Sequence, residues 1–559
     1  MQTDLPTRDR PQAQPQVSLA QAIGHVRQLL AAQQFGQAQD LCSSILGQIP
    51  DEPHVLQLLG MALHGQGRSD QAVPVFARLT ELLPAQAGAW TDLATIQIEA
   101  GQFDDAATSL RRALELDRGS VAGWNSLAVL GLRSGRLDDA DSALRSGLEI
   151  APHDGQLLYN QGLVRQQQRR FDEAVGWLER AIVAEPQDPQ RRLSLAQVLF
   201  ELERFEQLAA ACRALLQLGH HSAAVYNKLG LAAMKLARFS DSESAFRAGL
   251  AIDGDNRDLH YNFARMLFLQ RRHEESLVHC ALVIAAEPAL APMREMITSC
   301  HLALGDRDAA VANLQQWQAI DPHTARPAHL LAGLGVAATP ERASDDYVRE
   351  VFDDFAASFE QKLRTLDYRA PQHLQRALEA VATRLPEQPT MLDAGCGTGL
   401  CAEFLHRYRG RLVGVDLSQA MLDKAAARGD YDRLERDELT AFLRRSPAGF
   451  DAIVSADTLC YFGALEQVLL AARDALGRRG LLLFSLEALD DGASPYLLHP
   501  HGRYSHSRAY VERVVASSGF DILALDRQVL RNENELPVHG WIVTAQSSEP
   551  VEQGDDGRV

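Results

Sequence analysis

The chain has 559 residues, too many for one hydrophobic core, so two or more domains are expected. Its formal net charge of -18 disfavours nucleic acid and anionic membrane surfaces as partners, because both are bound through basic faces. No apolar run is long enough to span a bilayer, and the first residues lack the apolar core of a signal peptide. The seven Cys form no C-x-x-C pair, which favours free thiols in the cytoplasm.

Residues 1–16 are rich in Pro, Gln and charge and predict a disordered leader; residues 547–559 predict a similar acidic tail. Between them a period of 34 residues begins. Six of nine positions stepped by 34 from Pro50 are Pro, and six of nine stepped from Ala38 are Ala. Each unit contains two helix patterns joined by a turn such as EAGQFDDA. The spacing predicts nine helical pairs over residues 17–322.

This pattern resembles the tetratricopeptide repeat, whose units carry small residues where helices cross closely and a terminal Pro. The resemblance implies an all-α superhelical solenoid with a concave groove. A protein or peptide partner is the expected occupant of that groove.

After Pro322 the period breaks, and residues 323–343 are expected to form a capping and linker segment that contains a short helix at AHLLAGL. A new helical pattern then runs from Tyr347 to Leu363. Ser344, followed by two Asp residues, predicts its N-cap and acidic first turn.

From Thr390 onward, short apolar runs alternate with helix patterns, which predicts a doubly wound, mostly parallel sheet. The domain is expected to cover residues 344–546. In such sheets the ligand lies beyond the carboxyl ends of the strands. Two of those ends carry the strongest signals: the loop DAGCGTG, which begins at Asp393, and Asp416 at the end of the next strand. Glycines permit sharp turns and close backbone approach to a ligand, and a carboxylate can accept both ribose hydroxyls.

The loop has the spacing G-x-G-x-G, with Leu400 where a dinucleotide fingerprint has its third Gly. DAGCGTG followed by VGVDLS resembles the first two motifs of class I S-adenosylmethionine-dependent methyltransferases. The joined layout is similar to a bacterial group of predicted methyltransferases that carry tetratricopeptide repeats, through DDYVREVFDDFAASFEQKL, LDYRAP, DTLCYFG and GRYSHSRAYV. The resemblance implies a Rossmann-like, seven-stranded sheet with an antiparallel C-terminal strand pair at FDILALDRQVL and PVHGWIVTA.

The resemblance implies S-adenosyl-L-methionine as cofactor. It also implies these cofactor-binding residues: Asp393, Gly395, Gly397, Gly399, Asp416, Leu417, Asp437, Glu438, Tyr368 and Arg369. In this assignment the glycines line the methionine part and Asp393 orients its amino group, while Asp416 holds the ribose and Leu417 touches the adenine.

Three assignments near the cofactor are less direct. Either Asp437 or Glu438 would contact the adenine amine, and the sequence does not choose between them. Tyr368 and Arg369 would close the pocket over the cofactor carboxylate. Asp457, after the fourth strand, would face the sulfonium and the substrate.

The catalytic candidates are Asp457, Tyr461 and His506, with Glu487 as a further possible base if the acceptor carries a proton. HPHGRYSHS is expected to be a loop over the active site that contacts substrate through Arg503, Tyr504 and His506, or else a lead-in to the next helix. No Cys or carboxylate accompanies its His residues at ligand spacing, so no metal site is predicted.

An active methyltransferase whose repeats recruit the acceptor or a partner is the favoured interpretation. The alternative is a non-catalytic repeat scaffold with a degenerate sheet domain. A dinucleotide oxidoreductase is disfavoured by Leu400. The strand end ADTLCYF departs from the Asn-Pro-Pro-aromatic type of motif, which lowers the expectation of an adenine or glutamine nitrogen as acceptor. A protein or a small metabolite stays open as the acceptor.

Overall fold

The computed structural model describes residues 18–408, 410–490, 494–533 and 536–548. The predicted leader lies outside this described part, as does all of the predicted tail except Ser547 and Ser548. The chain divides into two compact units, residues 1–266 and 267–559.

Antiparallel helix pairs with one repeating length pattern make up the first part of the chain. Among the described residues these helices are α1 (Leu19–Ala31), α2 (Phe35–Gln48), α3 (Pro53–Gly65), α4 (Ser69–Leu82), α5 (Ala87–Glu99), α6 (Phe103–Leu116), α7 (Val121–Ser134), α8 (Leu137–Ile150), α9 (Gly155–Gln167), α10 (Phe171–Ala184), α11 (Pro189–Glu201), α12 (Phe205–Gln217), α13 (Ala223–Lys235), α14 (Phe239–Ile252), α15 (Arg257–Leu269), α16 (His273–Ala286), α17 (Ala291–Ala303) and α18 (Arg307–Ile320). This repeat solenoid confirms the all-α class predicted from the period of 34 residues.

The period exists because each repeat must bury the same small and large positions. Ala106, Ala140 and Ala174 are fully buried where paired helices cross, and so are Leu110 and Leu144 one turn later on the same helices. Small side chains let the helix backbones approach, and the leucines fill the space between neighbouring pairs.

The second unit continues from the repeats through α19 (Arg326–Gly333), at the predicted position of the capping helix. Two helices follow, α20 (Asp345–Phe355) and α21 (Phe359–Thr365), and then α22 (Ala370–Val381). The Ser344 hydroxyl accepts from the Tyr347 N–H, which confirms the predicted N-cap. The single helix expected from Tyr347 to Leu363 is wrong, because a short 3-10 turn over Ala356–Ser358 separates α20 from α21.

The remaining elements are, in chain order, β1 (Thr390–Ala394), α23 (Ala402–Leu405), β2 (Arg411–Asp416), α24 (Gln419–Arg428), β3 (Arg433–Arg436), α25 (Leu439–Arg444), β4 (Phe450–Ser455), α26 (Glu466–Ala475), β5 (Leu476–Leu489), β6 (Tyr496–Leu498), β7 (Tyr504–Ser507), α27 (Arg508–Ser517), β8 (Phe520–Glu533) and β9 (Leu536–Ser547). The strands β3-β2-β1-β4-β5 run parallel. β9 pairs antiparallel with β5 and with β8, which confirms the predicted C-terminal strand pair.

One part of this sheet was not expected. The segment predicted as a loop, HPHGRYSHS, instead contains β7, which pairs antiparallel with β6 and parallel with the end of β5 at Glu487–Leu489. The last residue of β4 that pairs with β5 is Ser455, opposite Phe484. The short hairpin β6–β7 therefore adds to the sheet along the end of β5, past the point where β4 stops. The connecting residues 499–503 are thereby held next to the carboxyl ends of the strands.

Candidate functional site

A cavity of about 920 Å³, part of it open to solvent, lies at the carboxyl ends of β1, β2 and β4. Its walls come from the loops after those strands, from α20 and α21, and from segments near residues 342, 503 and 531. Of the predicted residues, the cavity is lined by Tyr368, Gly395, Gly397, Asp416, Leu417, Asp437, Glu438, Asp457, Tyr461 and Arg503.

The glycine loop forms one wall of this cavity. Gly395, Gly397 and Gly399 all have positive φ, at 73°, 55° and 85°, where a side chain is strained. A Cβ on Gly395 would meet the Thr458 hydroxyl at 2.1 Å, so close packing requires glycine there. Near Gly397 a Cβ would find only the Phe359 ring, at 3.9 Å. The backbone of Gly397 is therefore open to a ligand, whereas Gly399 faces Arg428 and Tyr431 instead of the cavity.

Asp416 ends β2 and braces this loop. Its Oδ2 accepts from the Gly397 N–H and its Oδ1 from the Ser418 N–H, both at 2.9 Å. Burial raises the pKa of Asp416, against the opposing effect of these N–H donors. The carboxylate also lines the cavity, where it can accept from hydroxyl groups of a ligand.

Asp393, at the end of β1, lies behind the loop. It lines a smaller adjoining space of about 340 Å³ together with Gly395, Gly397 and Tyr368. Its Oδ2 accepts from the Tyr431 hydroxyl at 2.7 Å. Burial raises the pKa of Asp393 to about 7, although the Tyr431 hydroxyl opposes this shift.

Asp437 and Glu438 both line the cavity, but their carboxylates differ in use. Glu438 caps α25, accepting from the Thr440 and Ala441 N–H groups at 3.0 and 2.8 Å. Asp437 forms an ion pair with Arg445 and accepts from the Glu438 N–H at 2.9 Å. Because helix capping uses both oxygens of Glu438, Asp437 is the better placed of the two for a ligand.

Asp457, which follows β4, lines the cavity at the end of a different strand from Asp437, which follows β3. Its backbone φ of 51° is rare for a residue other than Gly and costs about 1–3 kcal/mol. The surroundings fix this conformation, because Asp457 exchanges two hydrogen bonds with Ser485, at 2.8 and 2.9 Å. Its Oδ2 also lies 3.3 Å from the Arg531 guanidinium. Asp457 is thereby held with its carboxylate at the cavity wall.

Asp457 belongs to a cluster of charged side chains in which Arg531 and Glu487 are buried. Arg531 is 1% exposed and also pairs with Glu487 and Glu533, at 2.5 and 2.6 Å. Arg503 lies 3.3 Å from the same Glu487 carboxylate. Arg503 and Arg531 reach the cavity lining, whereas Glu487 and Glu533 do not. The two guanidiniums therefore line the cavity together with Asp457, and their partners Glu487 and Glu533 lie outside the lining.

Burial and these charges set the pKa values of Glu487 and Tyr461. Burial by itself would raise the pKa of Glu487, but Arg531 and Arg503 outweigh it and lower that pKa to about 2. Burial raises the pKa of Tyr461 to about 12, partly offset by Arg503. Glu487 is therefore ionised and Tyr461 neutral near pH 7.

His506 and Arg369 are predicted residues that do not line the cavity, as is also true of Asp393, Gly399, Glu487 and Tyr504. His506, 0% exposed, lies against the Gly463 carbonyl at 3.0 Å, and burial lowers its pKa to about 4. Arg369 points into solvent and pairs with Asp367, while its neighbour Tyr368 lines the cavity. Among the described residues no group of His, Cys, Asp and Glu has the arrangement of a metal site.

Several lining residues were not among those predicted from the sequence. Arg342 and Ala343, from the segment predicted as a linker, reach the cavity because residues 341–343 pair with residues 461–464 after β4. Phe352 and Phe359 come from α20 and α21. A charged residue at a buried strand position, Arg531 in β8, is the signal that could have been noticed.

Two contacts hold α20 and α21 over the cavity. The Ser418 hydroxyl donates to Asp353 of α20 at 2.5 Å. Arg428 of α24 pairs with Glu360 of α21 at 2.5 Å and donates to the Thr398 carbonyl at 2.6 Å. The helices, the glycine loop and β2 therefore form one braced cradle, with a carboxylate and an open backbone suited to a nucleoside.

Family models match both the repeat part and the sheet part of the chain. Residues 392–482 match the family model described as a methyltransferase domain, and residues 227–290 match the tetratricopeptide repeat model. Residues 7–223 match the model of the C-terminal domain of cilia and flagella-associated protein 70.

Curated proteins that are named methyltransferases match part of the chain. Human methyltransferase-like protein 27 is 39% identical over 111 residues, which cover 19% of this chain and 45% of that protein. The bovine 18S rRNA (guanine-N(7))-methyltransferase is 35% identical over 80 residues, 14% of this chain and 28% of that protein. The chain thus spans less than half the length of the curated relatives it matches.

Two solved structures align with portions of the chain. The APC/C hetero-tetramer Cut9-Hcn1 aligns over 51% of this chain and 56% of its own, at 17% identity and a TM-score of 0.35. The 1,6-didemethyltoxoflavin-N1-methyltransferase of Burkholderia thailandensis, solved with S-adenosylhomocysteine, aligns over 38% and 94%, at 20% identity and 0.31. Both TM-scores are too low to bear on substrate or mechanism.

The fold and the matched models define a repeat protein joined to an α/β domain of the Rossmann-like class. More particularly, the chain carries tetratricopeptide repeats followed by a methyltransferase domain. Within the described residues, no helix combines the length and apolar character needed to cross a bilayer.

Proposed function

We propose that this protein is an S-adenosyl-L-methionine-dependent methyltransferase whose repeats recruit the methyl acceptor or a partner that delivers it. We assign the repeats to residues 17–322, the linker to 323–343 and the methyltransferase domain to 344–546, and we place the protein in the cytoplasm. The observation that carries the proposal is Asp416, whose carboxylate braces the open backbone of Gly397 and lines the cavity.

The cofactor, when bound, supplies a methyl group on a sulfonium, which is a good leaving group. Asp416 would accept from the two ribose hydroxyls, and Asp437 would accept from the adenine amine beside Leu417. Asp393 would pair with the amino group through the smaller adjoining space. Tyr368, in the wall of both spaces, would cover the methionine end, and Arg369 is left out of this assignment.

The remaining work of the protein is to align the acceptor and exclude water. Holding two reactants in line can contribute about 7–11 kcal/mol. Phe352 packs edge-on against Tyr461, with ring centroids 5.5 Å apart, and forms an apolar wall on the acceptor side. Asp457, Tyr461 and Arg503 supply the polar groups of that side.

A base is needed only if the acceptor carries a proton. Neutral Tyr461 is a poor base near pH 7, because burial raises its pKa to about 12. Glu487 is engaged by two guanidiniums and His506 is outside the cavity lining. Asp457, whose carboxyl group lies at the cavity wall, is therefore the group we assign to receive or orient an acceptor proton.

The acceptor is a protein or a small molecule in this proposal. The net charge of -18 disfavours RNA, even though one matched relative carries the name of an rRNA methyltransferase. The repeats would bring the acceptor or its carrier through their groove.

The test combines cofactor binding with methyl transfer. Calorimetry would measure the affinity of S-adenosylhomocysteine for the wild type, for Asp416→Asn and for Asp521→Asn, an exposed carboxylate on β8 that serves as the matched control. Loss of charge-assisted bonds at Asp416, each worth about 1.5–3 kcal/mol, should lower the affinity at least about tenfold. Asp521→Asn should match the wild type.

The same variants would be incubated with methyl-labelled S-adenosylmethionine and cell lysate, followed by separation into protein and small-molecule fractions. Label that depends on Asp416 in either fraction supports the enzyme and identifies its acceptor class. Absence of both cofactor binding and label in the wild type would leave a non-catalytic scaffold.

A further inference from the structure

The last helix before the methyltransferase domain, α19, packs directly on residues 499–503, which connect β6 to β7. His329 of α19 is buried, and its Nε2 lies 2.9 Å from the carbonyl oxygen of Gly502. A carbonyl only accepts hydrogen bonds, so Nε2 carries the proton and donates it. Burial lowers the pKa of His329, with the Gly502 carbonyl opposing, which favours this neutral form.

Steric contacts hold the same segment on two further sides. The His329 ring lies against Tyr347 of α20, with centroids 3.9 Å apart. Gly502 has φ of 88°, and a Cβ there would fall 2.0 Å from the Tyr347 hydroxyl oxygen. On the other side, a Cβ on Gly333 would fall 2.5 Å from the carbonyl oxygen of His499. The segment fits only because glycine stands at both positions.

The segment held in this way delivers Arg503 to the cavity. The His499 and Gly502 N–H groups donate to the Arg503 and His499 carbonyls, both at 2.9 Å, and close a tight turn. The carbonyl that His329 holds belongs to the peptide that joins Gly502 to Arg503. Fixing that peptide therefore fixes the Cα of Arg503, whose guanidinium meets Glu487 and the acceptor side of the cavity.

The helix that carries His329 is itself anchored on the domain. Arg326, one turn earlier in α19, pairs with Asp354 of α20 at 2.6 Å and with Glu295 of α17 at 3.3 Å. The Thr324 hydroxyl donates to Glu350 of α20 at 2.7 Å. These contacts fix the position of α19, so His329 is held where it can orient the Gly502 peptide.

We infer that His329, although it lies in the repeat cap and outside the α/β sheet, is a positioning residue for Arg503 in the acceptor side of the site. This inference rests on the proposed methyltransferase function, and it assigns part of the acceptor wall to α19. Removing the imidazole donor frees the Gly502 peptide and lets Arg503 leave its place beside Glu487. Cofactor binding at Asp416 and Gly397 stays intact.

The decisive experiment is a double-mutant cycle in the full-length chain. It compares His329→Ala, Arg503→Gln and the combined variant, with His329→Gln as the conservative replacement that retains a side-chain N–H. His323→Ala, an exposed imidazole just before α19, is the matched control. The two readouts are S-adenosylhomocysteine affinity and the initial rate of Asp416-dependent label transfer to the lysate fraction that accepts it.

We expect His329→Ala to lower the transfer rate about tenfold or more with cofactor affinity within about twofold, and His329→Gln to restore most of the rate. In the Arg503→Gln background, His329→Ala should cost less than about twofold, because residues that act through one contact are not additive. An equal loss in both backgrounds, or no loss in either, would overturn the inference.

A second readout needs no acceptor. Amide hydrogen exchange of residues 499–503, measured with S-adenosylhomocysteine bound, should accelerate about tenfold or more in His329→Ala and stay near the wild-type rate in His329→Gln and His323→Ala. Unchanged exchange in His329→Ala would refute the inference while leaving the methyltransferase proposal standing. Failure of the wild type to bind cofactor would instead refute the methyltransferase proposal, and this inference with it.

Discussion

The pH dependence of cofactor binding offers a quantitative test of the role assigned to Asp393. Burial holds the pKa of this carboxyl at about 7, above its ordinary value of 3.8. An amino group of the cofactor pairs with the carboxylate and not with the neutral acid, so binding below pH 7 must release a proton. The ionised fraction rises from about 0.03 at about pH 5.5 to about 0.9 at about pH 8, so affinity should rise about thirtyfold over that range.

The assay is calorimetric titration of S-adenosylhomocysteine into the wild type and Asp393→Asn across this pH range, in buffers of differing ionisation enthalpy. The wild type should show the rise and release of up to about one proton at the acid end. Asp393→Asn should bind more weakly and lack that component of the rise. Parallel profiles for the two proteins would refute the assignment of Asp393 to the amino group, whatever the absolute affinities.

Three further predictions concern stability. Folded Asp393 keeps its proton up to about pH 7, whereas in the unfolded chain the carboxyl ionises at its ordinary pKa of 3.8. The free energy of unfolding of the wild type, measured with urea, should therefore fall by about 3 kcal/mol relative to that of Asp393→Asn between about pH 5 and about pH 8. A constant difference between the two proteins would contradict this. Arg531→Met should cost about 3–5 kcal/mol by leaving Asp457, Glu487 and Glu533 without their shared cation, and an unchanged melting temperature would disprove that dependence. Leu144→Ala should cost about 2–5 kcal/mol by opening a cavity between repeats, with cofactor affinity unchanged as the check that the effect stays in the solenoid.

Sequence reasoning was most successful where the physical cause is short-range. The helical pairs follow from a period of 34 residues, because each repeat meets the same neighbour at the same positions. The loop from Gly395 to Gly399 and the carboxylate of Asp416 were located for a similar reason: one strand, one helix and the next strand bring them together. Asp437 and Glu438 were both predicted as candidates to contact the adenine amine. The structure distinguishes them only because the Glu438 carboxylate caps α25.

Tertiary packing decided what the local pattern left open. Tyr368 and Arg369 are adjacent, yet one lines the cavity and the other pairs with Asp367 in solvent, because the turn before α22 sends consecutive side chains to opposite sides. His506 had the residue type of a base, but it lies in β7 beneath Gly463.

The acceptor side of the site shows the same limit on a larger scale. Arg342, Arg503 and Arg531 converge from a linker, a hairpin and a late strand that are distant in the chain. Whether such a residue faces the cavity depends on which strands pair and which glycines admit a neighbour, as Gly333 and Gly502 admit His499 and Tyr347. The sequence by itself determined the two folds and the pairing of the glycine loop with Asp416, because their contacts recur at fixed spacings. The positions of Arg342 and Arg531 in the acceptor wall were decided only by the tertiary structure, since their contacts join segments with no fixed spacing.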